Sequence, residues 1–110
     1  MVSDPVLQKL GATEKIVASL SARGIKATVC VEVEYEPSVG SVAPCAAAAK
    51  KSGADLVVGL GGGTSLDTAK AVAMLMRNEG SLENYLGIGL VKQRGVPSIL
   101  IPSTAGTGAE

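Results

Sequence analysis

The chain has 110 residues, 46% of them apolar and 18% charged, with ten basic side chains balancing ten acidic ones. That length suits one small domain, and the apolar share suits a packed core rather than disorder. Zero net charge and only two aromatics, Tyr35 and Tyr85, exclude the basic footprint and the stacking platform that nucleic acid requires. Histidine is absent, so a histidine-held metal, a histidine triad and histidine acid–base chemistry are excluded within these residues.

No stretch reaches the roughly 18 consecutive apolar residues of a membrane span, and the first ten residues lack a signal pattern. No membrane partner is expected. Cys30 and Cys45 lack CxxC spacing and read as small core hydrophobes in a reduced, cytoplasmic setting.

In chain order, Val2-Ser3-Asp4-Pro5 reads as a strand tail entering a helix, with Asp4 as N-cap and Pro5 at the first helical position. Helical spacing runs through Leu7 and Leu10, breaks at Gly11, resumes through Ile16, Val17 and Leu20, and stops at Gly24. Ala27, Val29, Val31 and Val33 alternate with Thr28, Cys30 and Glu32, which predicts a strand. A second helix is expected from near Ser41 to Ser52, with Pro44 in its first turn and Gly53 as its stop. Asp55 to Leu60 is a short apolar run expected to be a strand buried on both faces. Leu66, Ala69, Ala73 and Met76 predict a helix extending to about Glu79. Val96 to Pro102 predicts another buried strand. The order βαβαβαβ implies a Rossmann-like α/β fold, a parallel sheet with helices on both faces. Residues 1–110 read as a single nucleotide-binding domain.

Parallel sheets bind ligands at the carboxyl ends of their strands, and two glycine clusters fall there. Gly61-Gly62-Gly63-Thr64-Ser65 joins a buried strand to a helix start. Three residues without β-carbons let backbone N–H groups approach a ligand, and the helix tip adds free donors and a positive dipole end. A phosphate or pyrophosphate is the matching guest. The dinucleotide fingerprint GxGxxG fails for want of its third glycine, and no GK[ST] follows for a Walker loop. Thr64 and Asp67 also fit a capping box, and Lys70 stands where it can pair with Asp67. After the last strand, Ser103-Thr104-Ala105-Gly106-Thr107-Gly108 supplies three hydroxyls and two glycines, a donor-rich rim for a phosphate or carboxamide or else the approach to a helix N-cap. Neither loop offers a catalytic acid, base or nucleophile.

Gly61-Gly62-Gly63-Thr64-Ser65-Leu66-Asp67-Thr68-Ala69-Lys70 resembles the GGGSxxDxAK segment of the iron-containing (group III) alcohol dehydrogenases. Residues 97–110 resemble the same family's PxxxIPTTAGTGSE, and Asp4 is similar to its strand-end aspartate. Three positions depart from the family pattern: Thr64 for serine, Ser103 for threonine, and Ala109 for serine. The resemblance implies the N-terminal part of the dehydroquinate synthase-like fold, truncated at both ends, with the helical metal-binding domain absent. It implies coenzyme contacts at Asp4, Gly61, Gly62, Gly63, Thr64, Ser65, Asp67, Ser103, Thr104, Gly106 and Thr107. NAD is implied ahead of NADP, because the carboxylate matching Asp4 meets the adenosine ribose. A divalent metal, Fe2+ by the family's name, belongs to the absent domain.

The implied reaction passes a hydride between a small alcohol or aldehyde and the coenzyme, in a full-length protein that is a homo-oligomer. The 110 residues alone are expected to be inactive. A non-catalytic nucleotide-binding module, an inert piece, and a dehydroquinate synthase-like lyase are the alternatives.

Overall fold

The structure, a computed structural model, describes residues 1–31, 39–78 and 94–103. Its elements are helices α1 (Pro5–Lys9), α2 (Ala12–Ser21) and α3 (Val39–Ser52), strand β1 (Val57–Gly61), helix α4 (Gly63–Leu75) and strand β2 (Ser98–Pro102).

Local chemistry sets most of these boundaries. Asp4 caps α1: its carboxylate accepts the Leu7 N–H at 2.8 Å while Pro5 opens the helix. Gly11, at φ +83°, makes the break between α1 and α2. Helices α2 and α3 end alike. Gly24 and Gly53 take positive φ, and the N–H groups of Ile25 and Ala54 reach back to the carbonyls of Leu20 and Ala49 at 2.9 and 3.2 Å. That is the Schellman closure.

The strands run parallel. β1 and β2 pair in register from Val57 with Ser98 to Gly61 with Pro102. On the other side of β1, Val2 forms parallel bridges to both Gly59 and Cys30. Its N–H donates to the Val58 carbonyl at 2.7 Å, and Cys30 N–H donates to the Met1 carbonyl at 2.8 Å. The order in space is therefore residue 30, residue 2, β1, β2. Chain direction across the sheet reverses between residues 1–3 and β1, which is the switch point where doubly wound sheets open a crevice. Right-handed crossovers place α3 and α4 on one face and the α1–α2 pair on the other. The core lies under α3 and α4, where Val2, Val42, Cys45, Val57, Ala69, Val72 and Leu75 are buried.

Several expectations need correction. The run beginning at Ala27 forms only the one bridge at Cys30, and residues 32–38 lie outside those described. Its neighbour, residues 1–3, ends at the Asp4 cap, so little chain remains to pair with. Helix α3 begins at Val39 rather than near Ser41, so Pro44 falls inside the helix rather than in its first turn. Helix α4 begins at Gly63 rather than Leu66 and ends at Leu75. β2 is an exposed strand, not a buried one: Ile99 is 51% and Ile101 37% exposed. Among the described residues it is the outermost strand, and of its residues only Leu100 is partly buried against the core.

The cysteines are the largest correction. Cys30 and Cys45 are joined by a disulfide with their Cα atoms 5.7 Å apart. Helix α3 folds back over residue 30, and that return brings the two within bridging reach. A sequence separation of 15 carries no pattern that announces it. No described helix is long and apolar enough to cross a membrane.

Candidate functional site

The three consecutive glycines divide their work. Gly61 ends β1 at φ +144°, Gly62 caps α4 in an extended conformation, and Gly63 is the first helical residue. A β-carbon on Gly61 would lie 2.7 Å from Ser65 Oγ and 2.9 Å from Asp4 Oδ2. Only a glycine fits between those side chains. Asp4 ends the residue 1–3 segment on one side of the switch point, and Gly61 ends β1 on the other. The crevice is thus flanked by a carboxylate and by the N-terminal tip of a 13-residue helix. No side chain caps that helix, so the cap position itself places no group across its tip. A helix tip of this kind receives anions through its N–H groups and dipole.

The third wall follows from β2. Ser103 N–H donates to the Gly61 carbonyl at 2.8 Å, which holds the start of the hydroxyl-rich loop against the glycine turn. Asp4, Gly61, Gly62, Gly63, Ser65 and Ser103 are thereby brought to one end of the sheet. Thr104, Gly106 and Thr107 lie outside the described residues.

The capping-box expectation fails. Thr64 is the second residue of α4, and Gly62 holds the cap. Helix α4 begins as soon as the strand ends, so Thr64 is already committed to helical geometry. Asp67 lies in the second turn with its side chain 53% exposed, 3.9 Å from Lys70 Nζ. An exposed pair at that distance is a surface contact.

Gly59 was not singled out from the sequence, yet it sets how closely α4 lies on β1. A β-carbon there would meet Ala69 Cβ at 2.7 Å and Leu100 Cδ2 at 3.1 Å. In the GxGxxG loop the third glycine provides this close helix–strand approach. Here a strand glycine facing a helix alanine provides it, which is why the fingerprint reads as broken. A glycine inside a strand pattern is the signal that could have found it.

An adenine dinucleotide fits the donor set on one specific ground: the turn at Gly61 carries no side chain, and it stands between the Asp4 carboxylate and the N-terminal tip of α4. Iron does not fit. The chain has no histidine, and among the described residues no three Cys, Asp or Glu side chains group as a metal site would need.

Known proteins place the chain firmly. The family model described as iron-containing alcohol dehydrogenase matches residues 1–110. Sulfoacetaldehyde reductase of Bilophila wadsworthia is 44% identical over 110 residues, all of this chain and 28% of that protein. Long-chain-alcohol dehydrogenase 1 of Geobacillus thermodenitrificans is 37% identical over 113 residues, again all of this chain and 29% of the relative. Among solved structures, sulfoacetaldehyde reductase from Bifidobacterium kashiwanohense in complex with NAD+ superposes with a TM-score of 0.89 at 32% identity, over 100% of this chain and 29% of the other. The alcohol dehydrogenase from Oenococcus oeni gives 0.90 at 32% identity, over 99% of this chain and 29% of the other. The chain thus spans less than a third of the length of these relatives. With the glycine turn, the switch-point crevice and the parallel sheet all in the family's order, the chain belongs to the iron-containing alcohol dehydrogenase family.

Proposed function

We propose that residues 1–110 are the coenzyme-binding part of an NAD-dependent dehydrogenase that interconverts a small primary or secondary alcohol and its aldehyde or ketone. The observation that carries this reading is the glycine turn, which abuts the Asp4 carboxylate at Gly61 and runs directly into the N-terminal tip of α4. Amide N–H groups at Gly62, Gly63 and Thr64 take the pyrophosphate, with Ser65 buried behind them at 2% exposure. The Asp4 carboxylate accepts a ribose hydroxyl and repels a 2′-phosphate, which favours NAD over NADP. Ser103 stands on the facing side, and the family motif assigns coenzyme contacts to Thr104, Gly106 and Thr107 as well. Bound NAD supplies the hydride acceptor, and the chain's residues bind and orient it.

Support comes from the family match and from a relative of the same fold in complex with NAD+. The iron that the family is named for has no holder among the described residues, so no step is placed on it here. We infer further that the 110 residues alone do not turn over alcohol, that the longer protein is a homo-oligomer, and that it works in the cytoplasm.

Titration calorimetry with NAD and NADP tests the reading. The parent chain binds NAD more tightly than NADP. Gly62 has an extended backbone, φ −80° and ψ −172°, that any residue adopts. Gly62→Val therefore obstructs the helix tip without backbone strain, and it lowers NAD affinity at least tenfold while the chain stays folded, its melting temperature lowered only by the poorer cap. Undiminished NAD binding by Gly62→Val refutes the site. Alcohol-dependent NADH formation by the parent chain refutes the claim that it is inactive alone.

A further inference from the structure

The other end of the sheet carries a second cavity. It has a volume of about 600 Å³ and is lined by the starts of the strands, the C-terminal end of α3, and both bridged cysteines. Its walls are apolar, including Leu20, Ile25, Ala49 and Leu56, and its charged lining side chains are Lys26, Lys51 and Asp55. Cys45 is 2% exposed, whereas Cys30 is only partly buried against the core. Both cysteines line this chamber, which is large enough for a tripeptide-sized molecule, and Cys30 is the less buried of the two. The coenzyme crevice lies at the opposite, carboxyl ends of the strands, so this chamber is separate from it.

We propose that this cavity admits a small carboxylate-bearing thiol of the glutathione class, which opens and closes the Cys30–Cys45 disulfide by exchange. The thiolate sulfur attacks Cys30 Sγ and forms a mixed disulfide. The electron pair of the broken bond leaves on Cys45 Sγ, which takes a proton from water. A second thiolate attacks the outer sulfur of the mixed disulfide. It releases the small disulfide and leaves Cys30 as a thiol once protonated. Two electrons pass to the protein, and two small thiols become one disulfide. Lys26 and Lys51 outnumber Asp55 at the cavity, and their charge favours a thiol carrying carboxylates over a cationic one. The disulfide joins the outermost segment of the described sheet to α3, so its state sets how firmly that edge is held.

The oxidised chain is incubated under native conditions with glutathione or with cysteamine, a small cationic thiol. Samples are quenched, alkylated and weighed by mass spectrometry. The oxidised chain is expected to take up no alkylating agent. Glutathione first yields a mixed disulfide mapped to Cys30 and then a dithiol, and the melting temperature falls by roughly 10 °C or more. In the Lys26→Gln, Lys51→Gln variant, the glutathione rate falls about three- to tenfold relative to the cysteamine rate. Taking this ratio within each protein cancels the two thiols' different reactivities. A urea midpoint equal to the parent's shows that the variant is folded. Three results overturn the proposal: two free thiols in the chain held in excess glutathione disulfide, a ratio unchanged by the lysine substitutions, or exchange no faster than global unfolding.

Discussion

Gly61→Ala would force a side chain between Ser65 and Asp4 at the mouth of the glycine turn. Two costs are visible at that residue. Its φ of +144° is a backbone conformation that a side chain disfavours by about 1–3 kcal/mol. The new methyl would also sit 2.7 Å from Ser65 Oγ and 2.9 Å from Asp4 Oδ2, an overlap of the kind that costs about 1–3 kcal/mol. Together they come to roughly 3 kcal/mol or more, a large share of the ~5–15 kcal/mol that holds a domain together. Urea unfolding followed by circular dichroism reads the loss as a lower midpoint at unchanged slope. Ser65→Ala in the same chain removes the 2.7 Å contact but leaves the φ cost and the 2.9 Å contact with Ser65 Cβ. The double variant therefore recovers part of the loss, and the cycle yields a coupling of about 1 kcal/mol. Stability within 0.5 kcal/mol of the parent for Gly61→Ala, or simple additivity of the two changes, would refute the geometry described.

Gly59→Ala is expected to destabilise by about 1–3 kcal/mol through its clash with Ala69 Cβ, and Ala69→Gly in the same chain relieves most of the overlap, as read from urea midpoints. Asp4→Ala removes the cap on Leu7 and costs about 1 kcal/mol. Asp4→Asn keeps the cap and so keeps the stability, while narrowing the preference for NAD over NADP measured by calorimetry. Burial holds the Met1 amine below its ordinary value of 8.0. The folded chain accordingly disfavours the charged amine, and stability contributed above pH 8 is lost as pH falls through the lowered value. Melting curves across that window check the slope, which N-terminal acetylation should remove.

Much of this protein was legible before any coordinate. Asp4-Pro5 announced a capped helix start, because a cap is chemistry between residues three apart. Gly11, Gly24 and Gly53 marked breaks and stops, because positive φ is a property of a single residue. The order of apolar runs gave the alternation of strands and helices, and the glycine turn with the motif after β2 carried the family resemblance.

Other features depended on what lies across the fold. How much of residues 27–31 pairs depended on the neighbour available, and β2's exposure depended on its outermost place among the described strands. Thr64 became a helical residue rather than a cap because α4 starts directly at the strand's end, where tertiary packing outweighs a local capping pattern. The disulfide joins residues distant in sequence and has no local signature, whereas the close approach at Gly59 left only the trace of a glycine within a strand. Sequence alone determined the glycine turns, the Asp4 cap and the kind of ligand, since those rest on short-range backbone chemistry. Only the tertiary structure decided which ends meet at the crevice, which strand is bare and which cysteines bond, since those depend on how the chain returns upon itself.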